Sequence, residues 1–344
     1  MIKKSLLAVI ICLNVSLVFF SGCIENTKKT LYVDDDGKAD FSSIQSAIDA
    51  AESGDTVFVY DGFYVEPLFI NKSINLVGSG AEKTFIVPKD VEKNSNCTIL
   101  ITADNCTIKN FDISFEGTKS ENIGIKITSS NNTILNNTFS NFKYGIYFFS
   151  DSSDYIIYGN NVSYNKISDC SSGIYGRTDM KNNTFFNNSI KNNQNGIELY
   201  SAVNCTVIAN EVSHNTMYGI YLTSDSDGNV ISYNFIKKNN YGIRFKGVSY
   251  NEIFANKIVE CNTGLYSCCG SRYNILYNNS LINNTKAAAD AFSNYWDNGR
   301  FGNYWDDYLS RYPDAKQVDG IWDTPYEILE GLNKDNFPLV EPVV

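Results

Sequence analysis

Residues Asn234–Phe245 read NFIKKNNYGIRF, and the frame returns as NTFSNFKYGIYF at Asn137–Phe148 and NSIKNNQNGIEL at Asn188–Leu199. The shared unit is N-x-Φ-x(5)-G-I-x-Φ, where Φ is apolar. Its glycines are Gly124, Gly145, Gly173, Gly196, Gly219, Gly242 and Gly264, spaced 21, 28, 23, 23, 23 and 22 residues apart. Eight residues before five of them stand Asn137, Asn165, Asn188, Asn234 and Asn256, while Asn210 sits nine before Gly219. Asn279 points to one more coil at Ala287, where KAAADA replaces the Gly-Ile pair. The 28-residue interval contains SDSSDYIIYGN, read as an inserted loop.

A period near 23 with no helical pattern implies a right-handed parallel β-helix, each unit being one coil of three short strands and three bends. The fold class is all-β. Stacked coils repeat every ~4.8 Å, so identical residues form columns. Asn tolerates left-handed backbone at a bend, and a buried amide can donate to and accept from the Asn of the next coil. The Gly column marks strand starts where a side chain would not fit. The apolar residues one and three beyond each glycine, such as Ile146 and Phe148, Ile197 and Leu199, Ile220 and Leu222, Ile243 and Phe245, point inward. About nine or ten coils are expected.

The ends of such a tube expose core and unpaired backbone, so both need caps. DFSSIQSAIDAAESGD reads as a helix, with Ser42 and Gln45 as a capping box, Ile44, Ala47, Ile48 and Ala51 as its apolar stripe and Gly54 as its stop. Strands are expected in TVFVY, SINLVGSG, TFIVP, CTILI and CTIKNFDIS. From Ala291 the repeat gives way to SNYWDNGRFGNYWDDY, DGIWDTPYEI and DNFPLVEP, which hold all three tryptophans. Their area suits the plugging of the C-terminal end.

Composition agrees with this reading. The 344 residues include 44 asparagines and 23 tyrosines, and the formal net charge of −10 argues against nucleic acid and anionic membrane surfaces as partners. At the N-terminus, Lys3 and Lys4 precede an apolar run, Ser5 to Phe20, that ends in FSGC. This resembles a lipoprotein signal, which implies export and lipidation of Cys23. The organisation expected is 1–22 signal peptide, 23–30 tether, 31–100 N-terminal cap and first coils, 101–290 β-helix repeats and 291–344 a Trp/Asp-rich C-terminal cap. Beyond Cys12 and Cys23, seven cysteines remain with no recurring CxxC, which speaks against a zinc site. They are readable either as extracellular pairs or as buried thiols filling the core.

The opening LYVDDDGKADFSSIQSAIDAAESGDTVFVYDGFYVEPLFINKSINLVGSG resembles the start of pectin-lyase-like β-helix proteins, and the NxI…NxxYGIxL units resemble their parallel β-helix repeats. The tail GNYWDDY…DGIWDTPYEI…DNFPLV is similar to the end of NosD-type proteins, named for a periplasmic copper-binding protein. The scaffold hosts lyases, hydrolases, epimerases and non-catalytic adhesins, so the resemblance carries fold further than function.

Three functional readings compete. Arg244-Phe245-Lys246 matches an R-x-K motif that polygalacturonase-like enzymes carry, but the only histidine, His214, has no flanking glycines. Asp151, Asp179 and Asp225 each lie six residues after a repeat glycine, with Asp154 and Asp227 nearby, as a calcium-assisted lyase would want. Asp at a bend is usually a turn residue. Copper would call on His214, Met180, Met217 and the thiols. Calcium is conceivable at Asp297, Asp306, Asp307, Asp319, Asp323 and Asp335, against a bland role in turns. The third reading is a binding surface. The outward position two beyond each glycine runs Lys126, Tyr147, Tyr175, Glu198, Tyr221, Arg244, Tyr266. In register, these side chains make a stripe of rings and charges suited to sugar, with Arg244 between Tyr221 and Tyr266. Non-catalytic binding of a polysaccharide or glycan surface is the leading expectation. A lyase or hydrolase and a NosD-like copper accessory protein are the alternatives. No cofactor is firmly implied, and contact with the membrane is expected only through the lipid anchor.

Overall fold

The computed structural model describes residues 28–89, 91, 96–115, 121–150 and 155–343. The expected signal peptide and Cys23 lie outside the described residues, as do Asp151 and Asp154. Among the described residues, no helix is long and apolar enough to cross a membrane.

Three parallel sheets of eleven strands each wind along one axis. The first begins at Thr30–Val33 and ends at Ile275–Tyr277, the second runs from Gly62–Tyr64 to Tyr304–Trp305, and the third from Leu68–Ile70 to Lys286–Asp290. Among the described residues, the first two sheets stack eleven strands and the third stacks ten with one more beside it, about eleven coils against the nine or ten expected. Short strands before Gly124, such as Gly62–Tyr64 and Leu68–Ile70, carry no Asn-Gly frame and are poorly visible in sequence. Most strands of the first two sheets are three residues long and turn only the middle side chain inward. Val162, Phe185, Val207, Ile231 and Ile253 follow one another down the first sheet, fully buried. In the third sheet most repeat strands turn two side chains inward, as with Ile243 and Phe245, while Gly176 takes the second inward position in the strand of Gly173. The inserted segment partly rejoins this sheet, since Ile157–Tyr158 pairs with Met180 and Lys181.

The Asn column at Asn137, Asn165, Asn188, Asn210, Asn234, Asn256 and Asn279 is a continuous ladder, extended by Asn303. Each backbone N–H donates to the side-chain oxygen of the next coil at 2.9–3.1 Å. Each Nδ2 also donates onward, and most reach back to a strand carbonyl, as Asn234 Nδ2 does to Val207 at 2.9 Å. The expected left-handed backbone belongs to the residue before each of these asparagines. Asn136, Tyr164, Asn187, Ala209, Tyr233, Ala255 and Asn278 all have φ between 51° and 57°. Placing the bend there aims the following amide into the corner.

Two further ladders were not anticipated. One holds Asn132, Asn160, Asn183, Asn229, Asn251, Asn274 and Asn294, with Cys106 and Cys205 in the same corner. The other holds Asn193, Asn215, Asn239 and Asn284, with Cys170 and Cys261. All three corners are thus polar and largely buried, with Asn–Asn bonds broken only where cysteine stands in the ladder. Their five-residue spacing, as in Asn229, Asn234 and Asn239, was the available signal. The extra residue of the Asn210 coil falls in the third corner, where Thr216, Met217 and Tyr218 separate Asn215 from Gly219.

The Gly column exists for lack of space. A Cβ on Gly242 would lie 2.5 Å from the Gly264 carbonyl oxygen and 2.7 Å from Ile258. Ala287 takes the column's last position, as the Asn279 spacing required.

The helix forms at Ile44–Ala50 and buries Ile44, Ala47 and Ile48. Its N-cap is Ser43 rather than Ser42, and its N-terminal amides are served by a remote carboxylate. Glu66 accepts from Ile44 N, Gln45 N and the Ser43 hydroxyl. Gln45 instead bonds Asp49 and Phe69, so the capping box is not formed.

Beyond Ala291, Trp296 and Trp305 are buried, and Trp305 stacks on Tyr326 at 4.0 Å. Two ladders end on buried carboxylates here. Asn294 and Trp296 donate to Asp290. Asn303 and Trp305 donate to Asp335.

Candidate ligand-binding face

The third sheet brings the predicted stripe into one row. Lys126, Tyr147, Tyr175, Glu198, Tyr221, Arg244 and Tyr266 are register partners in successive strands. Exposure departs from expectation. Tyr175, Glu198 and Tyr221 are only 7–8% exposed. Two flanking columns cover them. Tyr144 stacks on Tyr175 at 4.4 Å, and Tyr218 packs on Tyr221 at 4.5 Å. Tyr200 meets both Tyr175 and Tyr221 edge-on. Tyr147 and Tyr175 stack on each other with planes 18° apart, so part of each ring face is spent within the protein. The coil spacing of ~4.8 Å is close to aromatic contact distance, which makes self-stacking the default. The face therefore offers hydroxyl groups and ring edges more than open platforms.

Beyond Lys126 at its start, two charges punctuate the row, two coils apart with Tyr221 between them. Glu198 is locked: Tyr200 OH donates to Oε1 at 3.0 Å, while Ser172 Oγ and Asn195 Nδ2 donate to Oε2 at 3.0 and 2.9 Å. Burial, with the Glu198 carboxylate second, raises the Tyr200 phenol well above its ordinary range, so Tyr200 stays a neutral donor. The Arg244 guanidinium lies 5.3–5.6 Å from the ring centres of Tyr218, Tyr221, Tyr241 and Tyr266. Its Nη1 donates to Tyr218 OH at 2.6 Å and its Nη2 to Cys268 Sγ at 3.9 Å. Nε is buried and has no hydrogen-bond partner among the described residues. Among the described residues no carboxylate pairs with Arg244. Tyr218, Tyr241 and Cys268 are the members of this site that the single-column sequence reading missed. Their signal was position, one before and four beyond the repeat glycine on the same outward face.

The other candidates do not converge. Asp179 and Asp225 are exposed, and Asp227 accepts from Ser249 N of the next coil, tying one bend to the one stacked on it. His214 and Met217 are exposed while Met180 is in the core. In the tail, Asp297 accepts from Gly299 and Asn336, Asp306 from Asn283, Asp307 from Tyr326 and Asp323 from Lys316. Those are local turn and tether roles. Among the described residues, no group of three or more His, Cys, Asp or Glu is placed to hold a metal ion.

The model of the periplasmic copper-binding protein (NosD) family matches residues 160–310, and that of the right-handed β-helix region matches residues 72–234. No curated protein sequence matches significantly. Among solved structures, the A-module of a mannuronan C-5 epimerase from Azotobacter vinelandii is 14% identical, over 76% of this chain and 88% of that one, with a TM-score of 0.50. The Dettilon tailspike protein is 17% identical over 73% of this chain and 54% of that one, at 0.59. XylC solved with xylose is 13% identical over 90% of this chain and 73% of that one, at 0.55. At such identities the likeness is one of fold. The chain is a right-handed parallel β-helix, similar to the right-handed β-helix family over residues 72–234 and to the NosD family over residues 160–310.

Proposed function

We propose that this is an exported, lipid-anchored surface protein that binds a carbohydrate or other polyhydroxylated polymer on the outer face of the third sheet, without turning it over. The observation carrying this reading is the row in which Glu198, Tyr221 and Arg244 lie in register, each held by neighbouring hydroxyls and rings. Fixed donors and acceptors at coil spacing suit an extended polyol, and preformed side chains lose little entropy on binding. The fold's relatives supply context: an epimerase named for mannuronan, and XylC solved with xylose. The NosD description, periplasmic, supports an extracytoplasmic site, and the FSGC signal supports attachment through Cys23.

A glycan array with product analysis on residues 24–344 tests the reading. Binding should fall about tenfold or more in Arg244→Ala and in Tyr266→Ala, the loss of one charge-assisted or stacking contact. Uronate polymers, with or without calcium, should remain intact. Unsaturated products or new reducing ends would move the protein to the lyase or hydrolase reading. Binding that ignores both substitutions would remove this face from consideration.

A further inference from the structure

Cys268 and Cys269 are the one adjacent cysteine pair in the chain. Their sulfurs lie 2.9 Å apart. The turn that follows fixes them. Cys269 has φ +59° and Gly270 φ +90°, and both the N–H and hydroxyl of Ser271 return to the Cys268 carbonyl at 3.2 and 2.9 Å. Cys269 is exposed, whereas Cys268 is only 8% exposed and touches Arg244 through its sulfur. The cysteines of the corners are built differently. Cys106, Cys205 and Cys261 are buried in the ladders, and burial pushes the thiols of Cys205 and Cys261 up to about 11, which leaves them inert.

We propose that Cys268 and Cys269 form a reversible vicinal disulfide, a redox modification site at the foot of Arg244, with a small-molecule disulfide as oxidant. The exposed Cys269 thiolate attacks the small disulfide, giving a mixed disulfide and one thiolate leaving group. The Cys268 sulfur, already within reach, then attacks Cys269 Sγ and expels the second thiolate. The two cysteine protons pass to the two released thiolates, and the two electrons lost by the pair reduce the oxidant. Arg244 assists the second step, because its guanidinium favours the Cys268 thiolate that burial opposes. Oxidation also removes the thiol that Arg244 Nη2 contacts, freeing that donor. Any effect on ligand rests on the binding role proposed above, but the disulfide itself does not.

The native full chain is incubated with oxidised glutathione. Free thiols are then blocked with a light alkylating reagent, disulfides are reduced, and the released thiols take a heavy reagent located by fragment spectra. The expected result is heavy label on both Cys268 and Cys269, with no glutathione retained before reduction. Cys268→Ser should retain glutathione on Cys269, because no neighbouring sulfur displaces it. Light label on both residues of the native chain, or glutathione left on its Cys269, overturns the proposal. Mapping of the native chain decides the question even if the variant fails to fold.

Discussion

Asn234→Ala isolates the energetic role of the corner ladders. Asn234 is 1% exposed, and its side chain makes four hydrogen bonds. Nδ2 donates to Val207 O and Asn256 Oδ1, both at 2.9 Å, and Oδ1 accepts from Asn210 N and Nδ2 at 2.9 and 3.0 Å. Alanine leaves the Asn210 N–H without its acceptor and the Val207 carbonyl without this donor, in a corner closed to water. The Asn210 amide keeps other carbonyls, Asn256 Oδ1 keeps the Asn234 N–H and the Val207 carbonyl keeps its place in the sheet, so the Asn210 N–H is the one group orphaned outright. At ~1–3 kcal/mol for that group and ~1 kcal/mol for the net loss of a further hydrogen bond, the loss is about 3 kcal/mol. The control is Asn240→Ala. It removes a solvent-exposed Asn–Asn bond of the same length, 2.9 Å to Asn262, and should cost under about 0.5 kcal/mol. Urea unfolding followed by far-UV circular dichroism measures both. Asn234→Cys should fall between wild type and alanine, since cysteine already occupies corner positions at Cys106, Cys205 and Cys261. If Asn234→Ala costs no more than Asn240→Ala, the ladder is not what stabilises the corners.

The converse substitution, Cys205→Asn, should stabilise by about 1 kcal/mol, because Asn183 Nδ2, which donates to Ile157 O at 3.1 Å, meets only a sulfur at 3.9 Å in the next coil; an unchanged urea midpoint would count against it. Gly242→Ala should cost about 2 kcal/mol or more, since its Cβ would lie 2.5 Å from a backbone oxygen of the next coil; a thermal melt like that of wild type would refute the close-approach argument. Asp335 gives a pH signature. Burial pushes its carboxyl from 3.8 up to about 7, against the hydrogen bonds from Asn303, Trp305 and Phe337. The folded chain then holds a proton that the unfolded chain releases, so this group's contribution is full below pH about 4 and is lost as pH rises to about 7. Asp335→Asn should flatten the fall in stability across that window, and an identical pH profile in the variant would contradict the assignment.

Much of the fold is legible because a solenoid is written locally. Each coil must satisfy the same neighbours at the same spacing, so Asn234, Gly242, Ile243 and Phe245 recur wherever their environment does. The second and third ladders were harder to see because cysteine substitutes at Cys205 and Cys261, and because αL bends accept Tyr, Lys, Ala and Glu as well as Asn. The helix start was misassigned for another reason. Ser42 and Ser43 are both competent caps, and Glu66, some twenty residues on, selects Ser43.

The sequence by itself determined the parallel β-helix, its register and the row from Lys126 to Tyr266. Period and columns are properties of one chain stacking on its own copies, and they need no knowledge of distant contacts. Only the tertiary structure decided what that row presents. Tyrosines from two flanking columns bury Tyr175, Glu198 and Tyr221, four rings enclose Arg244, and Cys268 is brought against its guanidinium. Those outcomes depend on side-chain rotamers across neighbouring coils, where ring size against a ~4.8 Å repeat sets which faces are covered.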